Sequence, residues 1–258
     1  MVTDQPLKVE VSAENPSVMT LTGEMDFRTI AEFRQKAAPA LSGQSKNLRI
    51  HMQGVSYIDS SGLSALLEVV KSLTERGGTV TLVDPSFQIQ RVMNISGFSP
   101  FFQFEKTSGV GEEPRREEDN LPSEEKAMES FETAASPESV SYIRKSVVIF
   151  ARQMPFSKQE IADINLAVGE ASCNALRHGS PTGRESIHVT CIRHGGRLTV
   201  QITDSGPGFD PDNGYMSEAE DLAEGGRGIF FIRNLMDEVR FRFNGGTTVE
   251  MVKYLNKR

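Results

Sequence analysis

The chain has 258 residues, of which 38% are hydrophobic and 24% charged, the make-up of a water-soluble globular protein with one or two cores. No apolar run approaches the length of a membrane-spanning helix, and two isolated cysteines, Cys173 and Cys191, exclude a disulfide framework and a zinc site. The net charge of −7 is uneven: residues 108–139 hold 3 basic and 10 acidic residues, and neither flank is basic enough to expect nucleic acid. The first residues have no basic start and no apolar core, so a secretory leader is not expected and the cytoplasm is the expected location.

Apolar and polar residues alternate over residues 7–12 and 18–22, which predicts two strands around a turn at Glu14, Asn15 and Pro16. Residues 27–41 carry Ile30, Phe33 and Ala37 at helical spacing. A third strand is expected over 48–52. The run Asp59, Ser60, Ser61, Gly62, Leu63 then leads into a helix through Leu66, Leu67, Val70 and Leu73, ended by Gly77 and Gly78. A strand over 79–83, a helix to about Ile95 and a short strand over 101–104 complete an alternation that predicts a mixed sheet with helices packed on it.

Asp59, Ser60 and Ser61 all suit a helix N-cap, and a serine in an exposed turn at a helix start also suits a phosphoacceptor. A phosphate there would add about −1.5 to −2 charge beside Asp59. Together with Gly23, Glu24, Met25 and Asp26, and with Ser96, Gly97 and Phe98, this turn makes residues 1–107 resemble a STAS domain, the fold of anti-sigma-factor antagonists. The resemblance implies phosphorylation of the residue directly after the aspartate, Ser60, with Ser61 as the second choice.

Residues 108–139, rich in Glu, Ser and Pro, read as an acidic flexible linker with a partly helical stretch over 123–133. An amphipathic helix follows through Val140, Ile143, Val147 and Phe150, and Pro155 breaks it. Ser157 caps the next helix, which runs through Ile161, Ile164, Val168, Ala171 and Ala175 to Gly179. Two hairpins are predicted, 186–193 with 197–203 and 239–243 with 247–254, and the polar stretch 210–224 reads as a lid. A helical layer on an antiparallel sheet is expected for residues 140–258.

On the long helix Glu170 and Asn174 are four apart, so their side chains stand one above the other. A carboxylate and an amide so placed can serve a proton and a hard cation, and equally make a solvated edge. Asp204, Gly206 and Gly208 follow a strand; Gly225, Gly226, Arg227 and Gly228 open a helix, where backbone N–H groups can face an anion. Singly, each glycine cluster also reads as a turn. In this order and spacing the three sets resemble the nucleotide site of the GHKL (Bergerat-fold) ATPases, and within them the anti-sigma-factor serine kinases.

That resemblance implies ATP and Mg²⁺, with Glu170 as the base, Asn174 as the metal ligand and Asp204 on the adenine amino group. It implies that Gly206 and Gly208 let the backbone approach the nucleotide and that Gly225, Gly226, Arg227 and Gly228 cradle the phosphates. Thr247, with Thr248 as the alternative, stands where a hydroxyl meets the base. His178 is either a cation stabilised by its helix end or a phosphate contact. The implied protein joins an α/β STAS fold to an α+β Bergerat sandwich. It is a partner-switching serine-protein kinase that binds a sigma factor and phosphorylates a STAS serine, in cis or in trans. A serine phosphatase resets it, a second copy of the chain is a further partner, and neither nucleic acid nor membrane is one. The alternative is a non-catalytic switch set by ATP or ADP occupancy, with the STAS module as an inhibitor in cis or a sensor.

Overall fold

In a computed structural model the chain divides into two compact units, Met1–Glu113 and Pro114–Arg258. The structure describes residues 5–42, 46–107, 126–180, 182, 184–206, 227–243 and 245–255. Among them, no helix is long and apolar enough to cross a membrane.

The first unit holds strands β1 (Lys8–Val11), β2 (Val18–Met25), β3 (Asn47–Ile58), β4 (Thr79–Val83) and β5 (Gln103–Glu105). They form one sheet in sequence order. β1 pairs antiparallel with β2, and β2 to β5 run parallel. Helices α1 (Ile30–Ser42), α2 (Ser60–Thr74) and α3 (Phe87–Ile95) make the connections. Met19, Leu21, Met25, Phe33, Ile50, Met52, Leu63, Leu66 and Leu82 are fully buried between them. Since four strands are parallel, their carboxyl ends and the turns into the helices share one edge. β3 is longer than the expected 48–52. The glycine inside it, Gly54, marks a bulge rather than an end: the β2–β3 register shifts here, and a Cβ on Gly54 would stand 2.5 Å from Thr22 Cγ2.

The second unit holds strands β6 (Ala127–Ala134), β7 (Ser186–His194), β8 (Arg197–Thr203), β9 (Glu238–Phe243) and β10 (Thr247–Tyr254), and helices α4 (Pro137–Ala151), α5 (Lys158–Gly179) and α6 (Arg227–Leu235). The sheet order is β6-β7-β8-β10-β9, antiparallel throughout. Its buried face, with Val189, Cys191, Val200, Ile202 and Met251, meets α5, the helix that carries Glu170 and Asn174.

The expected linker is corrected here. Within 108–139, β6 pairs with β7 over eight residues, from Ala127↔Arg193 to Ala134↔Ser186, and α4 starts at Pro137. The second unit is therefore structured well ahead of residue 140, and its first element is a strand where a partial helix was expected. β6 is an edge strand whose residues are exposed or half-buried. It carries little alternation, and the partner strand supplies the order that its own sequence does not. Residues 108–125 and the expected lid over 210–224 lie outside the described residues.

Candidate nucleotide site and acceptor turn

α5 opens with a capping box. Ser157 Oγ accepts from the Glu160 N–H at 3.1 Å, and Glu160 Oε2 accepts from the Ser157 N–H at 2.7 Å. Three turns later Glu170 is 2% exposed and Asn174 half-buried. α6 lies against this stretch. A Cβ on Gly228 would come within 2.8 Å of Glu170 Oε2 and 3.5 Å of the Asn174 amide. Gly228, the second residue of α6, thus lets one helix backbone reach the two candidate side chains of the other. The far end of α6 is tied to the sheet by Lys253, whose Nζ donates to the Leu235 carbonyl at 2.7 Å.

Asp204 follows β8 directly and is 8% exposed. Its Oδ1 accepts two backbone N–H groups, from Gly206 at 2.9 Å and Thr247 at 3.1 Å, and its own N–H donates to the Thr247 carbonyl at 2.9 Å. Among the described residues, Oδ2 accepts no hydrogen bond. Three glycines make room for this aspartate and its turn. A Cβ would stand 2.2 Å from Asp204 Cγ at Gly179, 2.0 Å from the Asp204 carbonyl oxygen at Gly246, and 2.5 Å from Gly179 Cα at Gly206. Sequence reasoning took Gly179 as a helix stop and Gly246 as a hairpin turn. Their packing role depends on contacts across the sheet, which spacing along the chain does not carry.

The structure thus groups Glu170, Asn174 and Gly228 at the α5–α6 contact, and Asp204, Gly206 and Thr247 at the adjoining end of α5 beside Gly179. Thr247 is buried, and the Thr248 hydroxyl lies 2.9 Å from that of Thr203. His178 sits one residue before Gly179 with an exposed side chain, and Arg227 is the first residue of α6. Gly208, Gly225 and Gly226 lie outside the described residues. The donors suit a magnesium nucleotide: one amide oxygen from the chain, with the ion's remaining ligands coming from phosphates and water.

In the first unit Asp59 caps α2. Its Oδ1 accepts from the Gly62 N–H at 2.8 Å and its Oδ2 from the Phe27 N–H at 3.1 Å. Gly62 is required because a Cβ would meet the Met25 carbonyl at 2.3 Å. Ser60, the first residue of α2, is 9% exposed, and Ser61 is half-buried. The turn is therefore less open than the sequence suggested, because Asp59 draws the start of the helix onto the end of β2.

Residues 133–253 match the family model for the histidine kinase-like ATPase domain, and residues 8–110 match that for the STAS domain. A serine-protein kinase RsbW of Bacillus licheniformis is 34% identical over 138 residues, covering 49% of this chain and 85% of that protein. Its counterpart in Bacillus subtilis strain 168 is 36% identical over 133 residues, 47% and 82% of the two chains. The one in Listeria innocua is 32% identical over 139 residues, 50% and 88%.

Proposed function

From a chain that belongs to the histidine kinase-like ATPase family, in its RsbW-type serine-protein kinase branch, and that carries a STAS domain as well, we propose a partner-switching regulator that acts as an ATP-dependent serine-protein kinase. The observation that carries the catalytic reading is Glu170: a buried carboxylate one helical turn from Asn174, at the point where Gly228 opens α6. A module that only bound nucleotide would need no base there.

In the proposed reaction a STAS serine hydroxyl attacks the γ-phosphorus of ATP. Its oxygen bonds to phosphorus as the bond to the β–γ bridging oxygen breaks, ADP leaves, and the hydroxyl proton passes to Glu170. Asp204 Oδ2 accepts from the adenine amino group while Oδ1 stays fixed by the Gly206 and Thr247 N–H groups. Asn174 would hold Mg²⁺ through its amide oxygen, and the ion, when bound, would neutralise phosphate charge. Phosphoryl transfer rests on positioning and charge neutralisation, so this short set of groups suffices.

The acceptor is Ser60 of this chain or the matching serine of a separate STAS protein. A phosphate beside Asp59 changes docking by charge and leaves the fold in place. In this reading the ATPase unit also binds a sigma factor in the cytoplasm, the unmodified STAS unit competes for that binding, and a serine phosphatase restores it. The test is incubation with labelled ATP and Mg²⁺, followed by phosphosite mapping over a hundredfold dilution. Label on Ser60 at a constant rate per molecule supports transfer in cis, and a rate falling with dilution supports transfer in trans. Bound nucleotide with no label on this chain or on an added STAS protein would make it a binding switch.

A further inference from the structure

We infer that Lys253 is a positioning residue for phosphoryl transfer: it sets the register of α6 along α5, and so the place of the Gly228 backbone against Glu170. The inference rests on the kinase reading of that site.

Lys253 belongs to β10, where it pairs with Leu198. Residues opposite one another share a face of the sheet, so Lys253 leaves it on the side of Leu198, Val200 and Met251, the side that meets α5. Its side chain is only 12% exposed. A lysine seldom lies so deep unless its charge is met. Oxygens of two other elements meet it. Nζ donates to the Leu235 carbonyl at 2.7 Å and stands 3.9 Å from Asp163 Oδ2. Leu235 is the last residue of α6, and the final carbonyls of a helix have no partner within it and favour a cation. Asp163, on α5, is buried and steadied by Gln159, whose Nε2 donates to its Oδ1 at 2.7 Å. One ammonium group thus joins α5, α6 and β10.

Asp163 lies seven residues before Glu170 on α5, and Leu235 seven residues after Gly228 on α6. Lys253 brings Asp163 and Leu235 together, and the close approach at Gly228 brings α6 to Glu170. The two helices therefore run antiparallel and meet at two levels, two turns or about 10 Å apart. Between these levels α6 buries Phe231 and Ile232. Apolar packing tolerates small slides, whereas a paired charge within it specifies one register. The chain just past α6 is also pinned: the Asp237 N–H donates to the Val252 carbonyl at 2.9 Å, and the Tyr254 N–H to Asp237 Oδ2 at 2.7 Å. Those bonds reach β10, and Lys253 carries the tie on to α5. A slide of α6 by about 1 Å would displace the Gly228 backbone from Glu170, and misplacement on that scale costs about a hundredfold in rate.

The test uses the full chain with labelled ATP and Mg²⁺, with and without an added STAS protein, at a temperature where circular dichroism shows every variant folded. Lys253→Met keeps the length of the side chain and removes the ammonium. Phosphate transfer at saturating ATP should fall about tenfold to a hundredfold. The KM for ATP should stay within about threefold of wild type, since Asp204 stands at the other end of α5 from Asp163. The variant also leaves Asp163 buried without the Lys253 charge, so its melting temperature should fall. Lys253→Met combined with Asp163→Asn removes both charges and should restore much of the melting temperature. Transfer should stay low there, because the Leu235 carbonyl is still untied from α5. A merely structural role predicts a rate that recovers with stability. Such a recovery, or a maximal rate within about twofold of wild type in Lys253→Met, would overturn the role of Lys253 while leaving Glu170 as the base. No transfer by the wild type to a STAS serine, in this chain or in the added protein, would overturn the kinase reading, and this inference with it.

Discussion

Asp59 and Asp204 occupy the same kind of place. Each directly follows a strand, each is succeeded by a serine, and each is buried. Their hydrogen bonds differ in one respect. Asp59 gives one oxygen to the Gly62 N–H and the other to the Phe27 N–H, so both are engaged in holding helix to sheet. Among the described residues, Asp204 takes two backbone N–H groups on Oδ1 and none on Oδ2, the oxygen that the proposed site gives to a ligand donor. An aspartate at a strand end is thus a staple or, as proposed for Asp204, a recognition group according to how its two oxygens are shared. The surrounding glycines set that sharing: Gly179, Gly206 and Gly246 clear space around Asp204, while Gly62 brings α2 onto β2.

Replacing each aspartate by its near-isosteric amide sharpens the contrast, and the largest effect is expected at the nucleotide site. Asp204→Asn can keep Oδ1 for the Gly206 and Thr247 N–H groups but turns an NH₂ toward the adenine amino group. Nucleotide affinity should fall by about 2–3 kcal/mol, roughly a hundredfold, with the melting temperature nearly unchanged. Calorimetric titration with ATP reads this, and unaltered affinity would make Asp204 a second staple. Gly228→Ala attacks the neighbouring helix contact. The added methyl collides with the Glu170 carboxylate, so phosphate transfer should drop by more than the loss of about 1–3 kcal/mol in stability from overpacking would account for. A variant that transfers at the wild-type rate would show that α6 need not approach Glu170.

Asp59→Asn is expected to leave nucleotide affinity intact and to destabilise the first unit by about 1–3 kcal/mol, because one of two backbone N–H groups then faces an NH₂. Urea unfolding checks this, and a change in ATP binding without a change in stability would contradict the staple. The smallest effect concerns Cys191, whose thiol burial pushes up to about 12, with the Glu129 charge adding to it. The native thiol stays protonated while an unfolded one ionises near pH 8.5. Its contribution to stability is therefore full below about pH 8.5 and declines as the pH rises toward 12. At pH 8 alkylation of Cys191 should require unfolding, and rapid labelling of the native chain would contradict its burial.

These contrasts mark what spacing along the chain can carry. The pairing of Glu170 with Asn174 on one helix was legible because four residues on a helix is a local distance. The mixed sheet of the first unit was legible because strand and helix alternate cleanly. β6 was not, because an exposed edge strand takes its conformation from β7 rather than from its own pattern. The role of Gly228 was not, because the carboxylate it avoids lies 58 positions earlier in the chain. The near-burial of Ser60 was not, because it follows from a hydrogen bond between Asp59 and Phe27, a contact between two turns.

The central claim is that Glu170 accepts the proton of an attacking serine hydroxyl, and Glu170→Gln tests it most directly. The amide keeps the size of the side chain but cannot serve as the base, so one sample measured for both Mg-ATP affinity and phosphate transfer separates binding from chemistry. The account predicts affinity within about threefold of wild type and transfer to the STAS serine reduced by about a hundredfold or more. Transfer at the wild-type rate with Glu170 replaced would contradict it.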